Sequence, residues 1–294
     1  MLFLMLSFTL QMRHVHNFLQ CAHANFRRSS KFICRFASSS STDGKSSSQN
    51  NQVPEEPRPS SKPWREAAST MIVAPLNNAP PLFLGYLVIK RSRTSRVMPG
   101  GIAFPGGAVD PIDYDARWID LYSEQGLDIT RANLLADDAH IPEIYMDDDS
   151  QPFPKQISLR ITAIRETFEE CGVLLCRPNS AVGYYHNNPK YYSFKELDHR
   201  DKIRPWQRRI KENPDEFFTL CQQLKCTPDV LGLFDWNNWL SPTITPNRSR
   251  FDTIFYMVIV PHLLKVVTDK DEVRKAMVFT GLHIFINIED IGHN

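Results

Sequence analysis

The chain of 294 residues carries 34 Lys and Arg against 33 Asp and Glu, a net charge of +1, with 42% hydrophobic and 23% charged residues. That balance allows a sizeable core in one large domain or two small ones. It excludes a uniformly basic nucleic-acid binder, and no run of about 18 apolar residues offers a membrane-spanning helix.

Residues 1–42 contain Arg13, Arg27, Arg28, Lys31 and Arg35, no acidic residue, and a closing run of serines. Arg-rich, Ser-rich and acid-poor composition is that of a mitochondrial import presequence. A secretory signal built on Met1–Leu10 is the competing reading, but that stretch lacks a preceding positive charge. Residues 43–63 are Ser, Asn, Gln, Pro and charge, with little to bury, and read as a disordered linker. The folded domain is expected over 64–294.

Ser69–Pro75 and Leu82–Lys90 read as strands separated by a turn rich in Asn and Pro, and Ile102–Phe104 as a short third strand. Asp110 to Pro154 is acidic and broken by Pro111, Gly126, Pro142 and Pro152; its Asp147-Asp148-Asp149 run reads as a solvated loop. Ile157–Cys171 is the clearest helix. At 100° per residue, Ile157, Ile161, Ile164 and Phe168 fall within about 60° of one another. Gly172 is its C-cap, and Val173–Cys176 resumes as a buried strand. Tyr191–Cys226 is polar and helical, with Pro205 and Pro214 as breakers. Leu231–Leu240 and Phe251–Val260 read as strands. Strands, helix, strands implies an α/β layered domain.

Six cysteines are present, and Cys171/Cys176 and Cys221/Cys226 form two C-x4-C pairs. Without accompanying His or further CxxC elements these read as reduced, buried thiols rather than a zinc site.

On the helical wheel Glu166 lies about 180° from Ile157, with Glu169 and Glu170 on either side. Three carboxylates converge there on the face opposite the apolar stripe, expected to be directed to solvent. Packed together they repel unless a cation compensates, and a hard divalent ion prefers such oxygens. An acidic helix face is often simply solvated, so the upstream segment decides. Leu87–Gly107 places Lys90, Arg91, Arg93 and Arg96 within seven residues and ends in Phe104-Pro105-Gly106-Gly107, a tight turn that lets backbone approach a ligand.

Together these segments resemble the Nudix hydrolases, whose signature is G-x5-E-x7-R-E-U-x-E-E-x-G-U with U aliphatic. Arg165-Glu166-Thr167-Phe168-Glu169-Glu170-Cys171-Gly172-Val173 matches its second half with Thr167 in place of the first U, and Gly107 matches the opening Gly. Asp113 stands where the family has Glu, and 51 residues rather than seven separate it from Arg165, an insertion of 44 over about 114–156. Leu87, Arg91, Ser92, Arg96, Gly100, Phe104, Pro105, Gly106 and Gly107 fit the marker of one subgroup, the coenzyme A diphosphatase-like proteins of peroxisomes and mitochondria. Trp236–Pro242 and Arg250–Phe255 resemble the same subgroup. The resemblance covers roughly Trp64 to Val260, beyond which the chain departs from the family pattern, as a truncated C-terminus would.

The resemblance implies a Nudix fold, a mixed β-sheet between helices. It implies metal-dependent cleavage of a pyrophosphate bond with Mg2+ or Mn2+. Glu166, Glu169, Glu170 and the Gly106 carbonyl would hold the metal. Glu166 would be a ligand or general base, and Arg165 would orient Glu169. Arg91, Ser92, Arg96, Gly100, Phe104 and Gly107 would meet the substrate. A late acid remains open among Asp269, Asp271 and Glu272. The substrate implied is coenzyme A or acyl-coenzyme A, cut to 3′,5′-ADP and a 4′-phosphopantetheine. Alternatives are ADP-ribose, a dinucleotide, or nucleotide binding without turnover. The expected compartment is mitochondrial, with peroxisomal the alternative known among relatives; the terminal Gly-His-Asn is not an S-K-L-type signal.

Overall fold

The computed structural model describes residues 64–75, 84–95, 97–131, 141–146, 151–178, 200–241, 250–269, 271–280 and 285–287. All belong to one unit, Ser60–Leu134 with Ile141–Asn294; a second unit, Met1–Pro59 with Leu135–His140, lies outside the described residues. So do the presequence, the linker to residue 63, Arg96 and Asp147–Asp149.

The strands in chain order are β1 (Arg65–Pro75), β2 (Leu84–Arg91), β3 (Ile102–Ala103), β4 (Gly106–Ala108), β5 (Cys176–Pro178), β6 (Cys226–Pro228), β7 (Phe234–Leu240), β8 (Phe251–Ile259), β9 (Val273–Thr280) and β10 (Phe285–Asn287). The helices are α1 (Arg117–Ser123), α2 (Lys155–Cys171), α3 (Arg200–Glu212) and α4 (Glu216–Leu224), with 3-10 turns at Pro111–Tyr114, Glu143–Tyr145 and Val230–Gly232.

The main sheet is mixed, in the order β10-β9-β2-β1-β8-β7, with β3 on β2 and β4 on β1. β1 runs parallel to β8 from Arg65↔Phe251 to Val73↔Ile259, and antiparallel to β2 and β4. Ala67 through Ala74 are all buried in β1. Because side chains alternate across a strand, both faces of the sheet are covered there, as the layered reading requires. On one face lies α2, where the Thr70 hydroxyl donates to the Ala163 carbonyl at 3.1 Å.

Three local expectations are corrected. Gly106 and Gly107 lie not in a free turn but in β4, paired to Ser69 and Ala68. A Cβ on Gly106 would lie 2.4 Å from the Ala68 carbonyl oxygen, so only glycine lets β4 approach β1 this closely. Val173–Leu175 is buried but not a strand; pairing begins at Cys176, in a separate two-stranded sheet with β6. Pro205 sits inside α3 rather than breaking it.

The inserted segment is also more than an acidic loop. Its α1 buries Trp118, Leu121 and Tyr122. The Trp118 ring packs edge-on against Phe218 of α4, with centroids 4.9 Å apart, and the Tyr122 hydroxyl donates to the Pro228 carbonyl at 2.7 Å. The described part of the insertion thus has its own apolar anchor on α4 and a hydrogen bond to β6.

Candidate active site

Helix α2 carries the chemistry. It starts after Pro154 and ends at Gly172, whose φ of 65° is the left-handed conformation that favours glycine. A side chain at Gly172 would also meet Ile203 at 2.8 Å, so this glycine lets α3 close on the helix end. Of the 17 helix residues, 14 are buried. The solvent-directed acidic face expected from the wheel is therefore corrected: α2 is enclosed on nearly every side. Only Lys155, Glu166 and Glu169 retain partial exposure, and Glu170 is 2% exposed.

Arg165 organises this face. Its guanidinium, 2% exposed, grips Asp113, 0% exposed, through two bonds of 2.8 and 3.0 Å. It also donates to the Ala108 carbonyl at 3.1 Å and to Glu166 at 2.9 Å, and stands 3.6 Å from Glu169. The glutamate it holds most closely is thus its neighbour Glu166 rather than Glu169. Asp113, which stands where the family has Glu, accepts in addition from the Asp110 backbone and the Thr162 hydroxyl. Its role was not drawn from the sequence, although its place in the signature was the signal.

A second arginine arrives from the sheet. A register shift between Lys90 and Arg91, where β2 meets β9, turns the end of β2; such irregularities re-aim side chains. The Arg91 guanidinium donates to Glu170 at 3.1 Å and reaches Glu272 at 3.5 Å. The Glu170 carboxylate also accepts from the Gly106 N–H at 3.0 Å. Gly106 therefore presents its amide to the cluster, and the contact seen is with Glu170. Gly107 adjoins Glu166 so closely that a Cβ there would lie 2.6 Å from the carboxyl carbon.

Of the late acids, Asp269 accepts from the backbone of Glu272 and Val273 and from Lys211, and Asp271 is exposed. Glu272 alone reaches toward Arg91 and the cluster. Its backbone carbonyl further accepts from the Ser92 N–H at 2.7 Å.

The remaining candidates line the loop after β2. The Ser92 hydroxyl shares a hydrogen bond with Thr94, and Gly100, at φ 68°, donates its N–H to the Ser92 carbonyl at 3.0 Å, closing the loop. Phe104 lies between β3 and β4, half-buried. Lys90 and Arg93 are exposed.

The electrostatics follow from the enclosure. Burial raises the pKa of Glu166, with the Arg165 charge opposing it. Burial, then the Glu166 charge, pushes Glu169 up to about 8. The same two causes raise Glu170 well above the usual carboxylate range, against Arg91 and the Gly106 amide. Glu272 adds repulsion to all three. Buried carboxylates that resist joint ionisation suit a hard divalent cation, whose charge would let them ionise together. Their oxygens are not gathered into a closed ligand set: among the described residues, the only trio of metal-binding side chains with ligand atoms all within 4.8 Å is a group of cysteines elsewhere.

Comparison with known proteins agrees with this geometry. The family model for the NUDT19 Nudix domain matches residues 64–287, so the match continues past Val260 through β9 and into β10, correcting the earlier end of the resemblance. The chain is 34% identical over 213 residues to the acyl-coenzyme A diphosphatase NUDT19 of Gallus gallus, covering 66% of this chain and 54% of that protein. It is 31% identical over 234 residues to that of Homo sapiens, covering 74% and 61%. The chain thus spans between half and two thirds of the length of these relatives. Among solved structures, a Nudix hydrolase from Alicyclobacillus acidocaldarius is 23% identical with a TM-score of 0.49, covering 79% of this chain and 82% of its own. The chain belongs to the NUDT19 Nudix domain family.

Proposed function

We propose that this protein hydrolyses the pyrophosphate bond of coenzyme A or acyl-coenzyme A, giving 3′,5′-ADP and the corresponding 4′-phosphopantetheine. The observation that carries the reading is the enclosed carboxylate cluster on α2, set beside the β4 glycines and held by Arg165 and Arg91. The relatives' name, acyl-coenzyme A diphosphatase, supports the substrate class.

In this reading Glu166, Glu169 and Glu170 hold Mg2+ or Mn2+, which would neutralise charge developing on the phosphates and lower the pKa of an attacking water. Glu166, partly exposed and set against Gly107 of β4, is placed to accept a proton from that water. Arg165, fixed by Asp113, keeps Glu166 in place for either role. Arg91 partners Glu170 and so joins the cluster, while Glu272 supplies a fourth carboxylate at its edge. Arg93 and Lys90, exposed beside it, offer positive charge to the substrate's phosphates.

The test is direct: incubate the full chain with coenzyme A and Mg2+ and follow 3′,5′-ADP. Release of that product, abolished by EDTA, is expected. Faster turnover of ADP-ribose or a dinucleotide would replace the substrate, and binding without product would leave a nucleotide-binding protein. We further propose a mitochondrial destination. Residues 1–42 fused to a fluorescent protein should reach mitochondria, and a secreted or diffuse signal would overturn that reading.

A further inference from the structure

Three of the four described cysteines meet away from the carboxylate cluster. Cys176 opens β5, Cys226 opens β6, and Cys221 lies in the last turns of α4. In the β5–β6 register Cys176 faces Pro228 and Pro178 faces Cys226, which puts both cysteines on one face of the small sheet. Helix α4 ends at Lys225, whose φ of 50° turns the chain sharply, and its N–H returns to the Cys221 and Gln222 carbonyls. The C-x4-C spacing thus spans a helix end, a left-handed turn and a strand start, and brings Cys221 back to Cys226. All three side chains are fully buried, and their sulfurs lie within 4.8 Å of one another. Cys171, equally buried, stands outside the trio.

We propose that Cys176, Cys221 and Cys226 form a second metal site, which holds one thiophilic d10 cation, Zn2+ or Cu+, through three thiolates. A cation bound to sulfur at about 2.3 Å holds its sulfur ligands roughly 4 Å apart, close to the spacing already present. Thiolate donors select such soft ions and discriminate against the oxygen-seeking Mg2+ and Mn2+ proposed for the glutamates, so the two sites would not compete. Binding displaces the thiol protons to solvent and forms three metal–sulfur bonds, with no change of oxidation state.

The site's place in the fold assigns it a structural task. Cys176 lies four residues beyond Gly172, the C-cap of α2, and the intervening Leu175 carbonyl accepts from the Asp229 N–H of the β6 segment. A cation here would clip the chain leaving the carboxylate-bearing helix to α4 and β6. In sequence the two C-x4-C pairs carry no accompanying His or further CxxC element, which argues against zinc; the fold converts the two pairs into a trio with one cysteine left over.

The test uses the full chain with Cys21 and Cys34 replaced by Ser, so that only the four described cysteines report. Elemental analysis of the protein as isolated should find about one equivalent of zinc or copper, and which element is found tells the two apart. Co2+ added to the metal-free, reduced protein should produce a thiolate-to-cobalt charge-transfer band, a signature that carboxylate ligands cannot give. That band should vanish in Cys226→Ser and Cys176→Ser and persist in Cys171→Ser. If the serine variants do not fold, the band in the parent protein still decides. A folded parent protein with neither band nor tightly held zinc or copper overturns the proposal, as does a disulfide within the trio after anaerobic isolation.

Discussion

The carboxyl group of Glu166 occupies the space that a side chain on Gly107 would need: a Cβ there would come within 2.7 Å of the carboxyl carbon and both oxygens. The glycine that opens the family signature and the glutamate of its second half are thus two sides of one contact. Gly107→Ala must push Glu166 off its bond to Arg165 or force β4 away from β1. A displacement of about 1 Å at a catalytic group costs roughly a hundredfold in rate. The expected result is such a loss of kcat on coenzyme A with an unchanged circular dichroism spectrum. Turnover within twofold of the parent protein would show that Glu166 has no fixed position to lose.

A second pair lies deeper. Asp113 and Arg165 are both almost wholly buried, so removing one leaves the other as an uncompensated charge. Breaking such a pair costs about 3–5 kcal/mol. Asp113→Ala should therefore lower the melting temperature by roughly 10 °C in a domain of this size. Asp113→Asn, which keeps a side-chain acceptor for the Thr162 hydroxyl, should fall between. Thermal denaturation in EDTA separates this effect from any on metal binding, and an unchanged melting temperature in Asp113→Ala would refute the pairing.

Much of this was legible from residues alone, for reasons that show where reading stops. The period of Ile157, Ile161, Ile164 and Phe168 located α2 within two residues of its start, because its core stripe is also its strongest sequence signal. The glycines before the insertion and the glutamates after it could be joined because each half keeps its own internal spacing on either side of the interruption. The wheel could not reveal that the acidic face is roofed by β4 and by Arg91, because those contacts span 64 and 79 residues. Nor could periodicity find α1: its buried Trp118, Leu121 and Tyr122 lie in a segment whose acidic flanks and prolines read as loop. Glu272 could not be preferred over Asp269 by spacing, because both lie on one short turn before β9. The hydrogen bonds that occupy Asp269 and the reach of Glu272 to Arg91 separate them.

The crowding of carboxylates has a consequence for pH. In the metal-free protein Glu169 titrates near 8 against an ordinary value of 4.5, so between those limits the folded form keeps a proton the unfolded chain has lost. Each rise in pH across that window therefore destabilises the metal-free fold. Glu166 and Glu170 shift in the same direction. A divalent cation relieves the repulsion, so Mg2+ should raise the melting temperature more at pH 8 than at pH 6, relative to EDTA. Glu169→Gln should flatten the metal-free dependence while lowering turnover at least tenfold. Equal shifts at both pH values in the parent protein would dissociate the carboxylates from metal binding.

The last prediction concerns Arg91, which the resemblance assigns to substrate and the structure places on Glu170 and Glu272. An arginine serving the 3′-phosphate of coenzyme A would matter little for dephospho-coenzyme A, which lacks that group. An arginine that positions Glu170 must matter equally for both, because both are cut at the same pyrophosphate. Deleting a charge-assisted bond costs about 1.5–3 kcal/mol, or roughly ten- to hundredfold in kcat/KM. Arg91→Ala should therefore reduce kcat/KM by that factor on both substrates and leave their ratio unchanged. Arg91→Lys keeps the charge but not the fork that spans Glu170 and Glu272, and should recover only part of the loss. Steady-state kinetics on the two substrates in parallel decides the matter. A loss confined to coenzyme A would move Arg91 from the carboxylate cluster to the nucleotide's 3′-phosphate, and Glu170 would then need another partner when substrate is bound.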